Sequence, residues 1–372
     1  MSVLEACIPS SKHKTKSGGH MDNQKAEAFA ERILTEVNGA MSVLNIYLGH
    51  KLGLYRSLAD AGDITPKELA RRTGYSERYL REWLECMAVS GYLDYSSVGG
   101  SFSLSDEHRA VLVEQEHPSY ITPFTQWIPS FAGILAHLME AFRTGGGVDY
   151  ELYGQDTLDA IGLGNRPMFA NDYVNYWLPA MPDVQIKLEQ GGKVAEVGAG
   201  VGWSSISLAR GFPRVKIDSV DIDAESIQQA RTNVEKSGLS DRITFHHSPI
   251  ERVELAGPYD LVTAFECLHD MAYPIEALEK MRCLAGSKGT VLIADEAAGD
   301  SIEENCNFLG QLFYNFSVLH CLPQAMVFPE AAGTGTAIHP STVREYARAA
   351  GFKEVEILPI ENPFWRFYRL TA

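Results

Sequence analysis

The sequence predicts an α/β chain in two parts: a mostly helical leading domain, then a doubly wound parallel sheet that ends in an antiparallel hairpin. Three observations predict it. From Gly192 onward, short apolar runs alternate with helical patterns: "KVAEVG", "RVKIDSVD", "ITFHHS", "YDLVTAFE" and "GTVLIADE" read as strands. Before that, residues 63–105 read as helix, tight turn, helix, hairpin. Between the first strand and its helix stands "VAEVGAGVGWSS", with Gly198, Gly200 and Gly202 at every second position and Glu196 ahead of them.

Each element has a local cause. Phe29, Ile33, Leu34 and Val37 recur at helical spacing and give an early helix one apolar face. Thr65, Pro66 and Glu68 supply an N-cap, a proline at N1 and an acid at N3. Leu80, Trp83, Leu84 and Met87 mark the buried face of the next helix, which Gly91 ends. "YLDY" and "FSLS" alternate around "SSVGGS", a hairpin signal. At the far end, "EVEILPI" and "FWRFYRL" flank the turn "ENP" and should pair antiparallel. The expected boundaries are a disordered tail over 1–22, a winged-helix-like domain over 23–120, linking helices and a lid over 121–190, and the doubly wound domain over 191–372.

Composition narrows the function. The net charge of -16 disfavours a phosphate-binding surface. Helix–turn–helix–hairpin is a DNA-binding arrangement, but the second helix carries Glu77, Arg78, Arg81, Glu82 and Glu85, more acid than base. A dimerisation and lid module is the better expectation. The six cysteines show no C-x-x-C spacing and read as reduced thiols. No apolar run is long enough to span a membrane, and the expectation is a cytoplasmic enzyme.

The glycine run sits where a strand must turn sharply into a helix and where a ligand approaches the backbone. A dinucleotide loop would space its glycines G-x-G-x-x-G to cradle a pyrophosphate. Here the spacing is G-x-G-x-G behind an acid, and Asp221 ends the next strand, where a carboxylate can accept both ribose hydroxyls. This combination resembles motif I of the class I S-adenosylmethionine-dependent methyltransferases. Glu196 suits a cationic ligand.

The resemblance extends over residues 25–372, carried by "KLGLYRSLADAG", "TGYSERYLREWL", "ECLHDM" and "ADEAAGD". It is to small-molecule methyltransferases with a winged-helix-like leading domain, related to dimeric O-methyltransferases. The resemblance implies a Rossmann-like domain, S-adenosyl-L-methionine as cofactor and a homodimer built through the leading domain. It implies cofactor contacts at Glu196, Gly198, Gly200, Gly202, Asp221, Ile222, Ser248, Ile250, Phe265 and Glu266. Where the family usually places an acid against the adenine, this chain has Pro249, with Ser248 and Ile250 beside it.

His269 follows the fourth strand of the sheet, at the edge that faces the ligand crevice. The resemblance makes it the general base and Glu296 the acid that orients it. An unperturbed histidine titrates near ~6.5. A packing or capping role for His269 is the plain alternative. His246 and His247 are adjacent and point to opposite faces of a strand, and no metal site is expected. Trp127, Tyr173, Trp177, Phe313, Tyr314, Phe316 and His320 are candidates to line an acceptor pocket, although any of these rings would serve equally as core. The expected reaction is methyl transfer to a small apolar or aromatic molecule, most readily at oxygen. Carbon or nitrogen methylation, a ligand-sensing transcriptional regulator and a nicotinamide-dependent oxidoreductase are the rivals.

Overall fold

A computed structural model describes residues 22–371. The expected tail and Cys7 lie outside these residues, apart from Asp22, whose carboxylate caps the first helix at Gln24 and Lys25. The chain divides into two compact units, with the division after Val113, ahead of the expected boundary at 120.

The first unit contains α1 (Asn23–Lys51), α2 (Leu54–Ala59), α3 (Pro66–Thr73), α4 (Glu77–Val89), β1 (Asp94–Ser96), β2 (Ser101–Ser103) and α5 (Asp106–Leu112). The capping box forms: Glu68 N–H donates to Thr65 Oγ1 at 3.3 Å and Thr65 N–H donates to Glu68 Oε2 at 2.9 Å. Leu54, Leu58, Leu69, Leu84 and Met87 make the core of this unit, and Trp83 Nε1 ties it to α1 by donating to Asn45 O at 3.0 Å. β1 and β2 pair antiparallel, with Asp94 opposite Ser103. Along α1, Phe29, Ile33, Val37 and Met41 stand in one exposed row.

The second unit opens with α6 (Trp127–Thr144), α7 (Gly154–Met168), a π-helical turn over Phe169–Trp177 and α8 (Pro182–Glu189). Then come β3 (Lys193–Val197), α9 (Trp203–Gly211), β4 (Lys216–Asp221), α10 (Ala224–Lys236), β5 (Ile243–His247) and β6 (Leu261–Phe265). The rest is α11 (Pro274–Ala285), β7 (Thr290–Glu296), α12 (Phe308–Phe316), α13 (Leu322–Ala325), α14 (Pro340–Ala349), β8 (Glu354–Ile357) and β9 (Trp365–Thr371).

The seven-stranded sheet runs β5-β4-β3-β6-β7-β9-β8. The strands from β3 to β7 are parallel, and β9 is antiparallel to both β7 and β8. Strand order reverses at β3, between β4 and β6, which opens a crevice at the carboxyl ends of those strands. Alternate residues feed two cores. Val194 and Leu292 join the cluster on one face, while Ala195 and Ile293 join that on the other.

Tyr173 and Trp177, candidates to line an acceptor pocket, stand in the first of these cores. They are almost fully buried against Phe265, Trp365 and Phe367, with ring centroids 5.0–5.9 Å apart. The π-helical turn directs both rings inward, onto the sheet. Truncating Trp177 to Ala removes the centre of this cluster and is expected to cost about 3–5 kcal/mol. Urea unfolding followed by far-ultraviolet circular dichroism checks it.

Candidate active site

The turn after β3 is built on glycine for steric reasons. Gly198 has φ +69°, and a Cβ there would lie 2.7 Å from Cys267 Sγ. Gly202 has φ +85° at the N-cap of α9, and its Cβ would press on Phe245 and Ala230. The loop between them is fixed by Asp221, whose Oδ2 accepts from Gly200 N–H at 2.7 Å and whose Oδ1 accepts from Asp223 N–H at 2.8 Å. A Cβ on Gly200 would meet only open space.

Carboxyl groups converge on this crevice from four strand ends. Glu196 on β3 is buried and accepts from Ser204, Ser205 and Ser219 hydroxyls. It therefore ties β3 to the first turn of α9 and to β4. Burial pushes its carboxyl up to about 7, against the pull of the three hydroxyls. Burial also raises Asp221 at the end of β4. Glu266, just past β6, is pushed to about 7 by burial, with Asn165 Nδ2 donating to it from α7. Its backbone sits at φ +50°, a strained region for a residue with a Cβ, and its N–H donates to Ala294 O at 2.7 Å. Strain held in place this firmly fits a residue positioned for a ligand.

At the end of β7, Asp295 and Glu296 meet His269, and all three are buried. His269 Nδ1 donates to Asp295 Oδ1 at 2.5 Å, and Asp295 Oδ2 accepts from the His269 backbone N–H at 3.2 Å. Glu296 Oε2 lies 2.9 Å from the same ring nitrogen. Both acids at the end of β7 thus reach Nδ1: Asp295 by a hydrogen bond, and Glu296, expected to orient the ring, by close approach. Burial and Asp295 push Glu296 far above the carboxylate range, so it holds its proton. On the other side of the ring, Nε2 stands 3.2 Å from Asp270 Oδ1. Burial alone would lower His269, but Asp270 and Asp295 raise it well above the ordinary histidine value. Against the cost of its own burial, Asp270 is held down at about 2 by that imidazolium.

The remaining candidates divide. Ser248 N–H donates to Asp221 O at 3.0 Å, and the neighbouring Ile250 is buried, so both sit beside the crevice. Ile222 is exposed, and Phe265 belongs to the aromatic core. Phe313 is buried in α12, while Tyr314 on the same helix is exposed. Trp127, Phe316 and His320 come together in an aromatic group, with Trp127 5.1 Å from each of the other two rings. Tyr150 and Tyr153 complete this group around His320, at 5.8 and 4.8 Å. Burial pushes His320 down to about 4, so its ring is neutral, and Nε2 has no hydrogen-bond partner. His246 and His247 do face apart: one meets Asp218 at 2.9 Å and the other donates to Ile222 O at 2.9 Å.

The buried Glu196 carboxyl leads to a pH prediction. Its folded value near 7 exceeds its ordinary 4.5, so its contribution to stability is full below about 4.5 and is lost as pH rises through about 7. Glu196→Gln should therefore gain stability relative to the wild type across that window. Denaturant midpoints measured at pH 4.5 and at pH 7.5 for both proteins give the difference; an unchanged gap refutes it.

Comparison with known proteins agrees with this geometry. A model of the Rv2258c-like winged HTH domain matches residues 39–114, and a model of the methyltransferase domain matches residues 188–336. The tRNA1(Val) (adenine(37)-N6)-methyltransferase of Dyadobacter fermentans is 37% identical over 75 residues, 20% of this chain and 31% of that protein. The ubiquinone biosynthesis O-methyltransferase of Psychrobacter cryohalolentis is 29% identical over 106 residues, 28% of this chain and 40% of that protein. The chain thus spans well under two thirds of the length of these curated relatives. Solved structures match over nearly all of it. Human N-acetylserotonin methyltransferase covers 96% of this chain and 100% of its own, at 17% identity and a TM-score of 0.65. Mitomycin 7-O-methyltransferase covers 94% and 99%, at 18% identity and 0.67. The chain thus carries a winged HTH domain ahead of a methyltransferase domain, and it shares its fold with both solved methyltransferases.

Proposed function

We propose that this protein methylates a small, apolar or aromatic molecule at oxygen, with His269 as the base. The observation that carries the reading is the His269–Asp295 pair, buried at the end of β7 beside a crevice ringed with carboxyl groups. S-adenosylmethionine supplies a methyl group already activated on a sulfonium, so the chain has to bind, orient and exclude water. The acid-lined crevice fits that cofactor on charge. Glu196 is a buried acid, and Asp221 and Glu266 half-buried ones, that a sulfonium and an ammonium would offset and a pyrophosphate would not. Asp221 keeps lone pairs for ribose hydroxyls beyond the two amides it already holds.

Because Asp295 occupies Nδ1, Nε2 is the atom left to take a proton from the acceptor, once the ring has given up the proton that its carboxylate neighbours favour. Asp270 covers that side, so an incoming hydroxyl has to replace this contact. The charge on Asp295 then steadies the imidazolium that forms. Trp127, Phe316 and His320, with Phe313 and Tyr314 on the same segment, are the proposed walls of the acceptor pocket. A second reading, carbon or nitrogen methylation with His269 as an orienting cation, draws support from the carboxylates that favour its charged form. Two measurements separate these. S-adenosylhomocysteine should bind by calorimetry, at least about tenfold more weakly after Asp221→Ala; tight binding of NAD in its place refutes the cofactor. On the acceptor found by mass spectrometry with labelled cofactor, His269→Ala should lose on the order of 10²–10⁴-fold in turnover. Near-native turnover removes the base role and moves carbon or nitrogen methylation ahead.

A homodimer through α1 belongs to the same proposal. The row Phe29, Ile33, Val37 and Met41 is 45–63% exposed, more contiguous apolar surface than a soluble monomer keeps uncovered. A role away from DNA is supported by α4, where Arg78 lies against Glu82 and Arg81 against Glu77, a mixed-charge surface poorly suited to phosphate. Light scattering should give twice the chain mass for the wild type and the chain mass for Val37→Asp/Met41→Asp. A monomeric wild type at micromolar concentration overturns it.

A further inference from the structure

We propose that His269, Asp270 and Cys321 form a binding site for a borderline-soft divalent ion such as Zn²⁺, and that filling it shuts the reaction off. One donor atom from each of the three lies within 4.8 Å of the other two. His269 Nε2 and Asp270 Oδ1 are 3.2 Å apart. Bonds of about 2.0–2.3 Å in a tetrahedral zinc site set neighbouring donors roughly 3.3–3.7 Å apart. The side chains therefore need only a small adjustment to meet on one ion. An imidazole nitrogen, a carboxylate oxygen and a thiol sulfur form a set that zinc takes readily and magnesium or calcium does not.

Two further observations point to a cation here. Asp270 Oδ1 is buried and, although it lies 3.2 Å from the charged ring, makes no aligned hydrogen bond. A buried acceptor left unpaired in a well-packed protein commonly marks a water or an ion. In addition, the far side of the imidazole is already prepared. Zinc-binding histidines generally donate their other ring nitrogen to a carboxylate, which fixes the ring and strengthens it as a ligand. Asp295 does this to Nδ1 at 2.5 Å. Behind the sulfur, His320 Nδ1 lies 3.5 Å from Cys321 Sγ and can hold it in place. The alternative cluster of His269, Asp295 and Glu296 suits an ion less well, because its nitrogen is the one that Asp295 already engages. Three protein ligands leave the fourth position open.

Binding itself does not depend on the proposed reaction. The inhibitory consequence does: an ion on Nε2 takes the lone pair that would accept the acceptor's proton. Titrating the metal-free full-length protein with Co²⁺ should give one equivalent of tetrahedral cobalt, with visible d–d bands and a near-ultraviolet thiolate-to-cobalt charge-transfer band, all displaced by Zn²⁺. Cys321→Ser should lose the charge-transfer band, and His269→Ala should weaken binding at least about tenfold, in variants that keep the wild-type circular dichroism. No charge-transfer band in the wild type, or a band that survives Cys321→Ser because another cysteine holds the ion, overturns the site. With the acceptor in hand, Zn²⁺ should suppress turnover, a chelator should restore it, and Cys321→Ser should need at least about tenfold more Zn²⁺. Turnover indifferent to Zn²⁺ with the band intact overturns the shut-off and leaves the site standing.

Discussion

The structure depends on how buried and half-buried carboxyl groups are kept from costing more than the fold can bear. Glu196, Asp221, Glu266, Asp270, Asp295 and Glu296 all come to the carboxyl ends of the central strands. An isolated carboxylate in such a place is strongly unfavourable. The chain answers differently at each. Three serine hydroxyls hold Glu196, two backbone amides hold Asp221, and Asn165 holds Glu266. Asp270 and Asp295 share one imidazolium, and Glu296 keeps its proton. These partners come from the glycine turn, α7, α9 and β7, so the compensation ties the crevice to the elements that build it.

Much of the architecture was legible in the sequence because it follows from local rules. The capping box at Thr65 and Glu68, the hairpin around "SSVGGS" and the strand–helix alternation after Gly192 each rest on neighbours in the chain. The pairing of the last two strands was legible too, but not their place: β9 lies between β7 and β8. Nothing in the turn "ENP" tells which strand of a hairpin faces the rest of a sheet. The methyltransferase resemblance rested on the spacing of Gly198, Gly200 and Gly202 and on Asp221, whose geometry depends only on a strand, a turn and the next strand.

The site was legible in its elements and less so in its partners. "DE" at the end of β7 offered two acids, and a strand's last residues do not announce how each meets a neighbour; the resemblance favoured Glu296, and both reach Nδ1, Asp295 by a hydrogen bond. Asn165 and Cys321 lie far from His269 in sequence and in no motif, so only the fold brings them there. The rings of Tyr173 and Trp177 carried no mark distinguishing a pocket from a core. The π-helical turn adds a residue to the helical repeat and rotates both rings onto Phe265 and Trp365.

The placement of β9 bears on how the protein is made. Asp295 lies opposite Arg366 and Glu296 opposite Trp365, so the strand that delivers the acid to His269 has β9 as its second neighbour. β9 is synthesised after every other strand of the sheet, yet it sits inside β8. While the ribosome is still working through residues 297–364, β7 has an open edge, and the aromatic cluster lacks Trp365 and Phe367. A nascent chain can assemble the parallel half of the sheet and its glycine turn first. The acid–imidazole pair has its second supporting strand only once the last strand slots in, so the side of the crevice proposed to react leans on the final residues to be made.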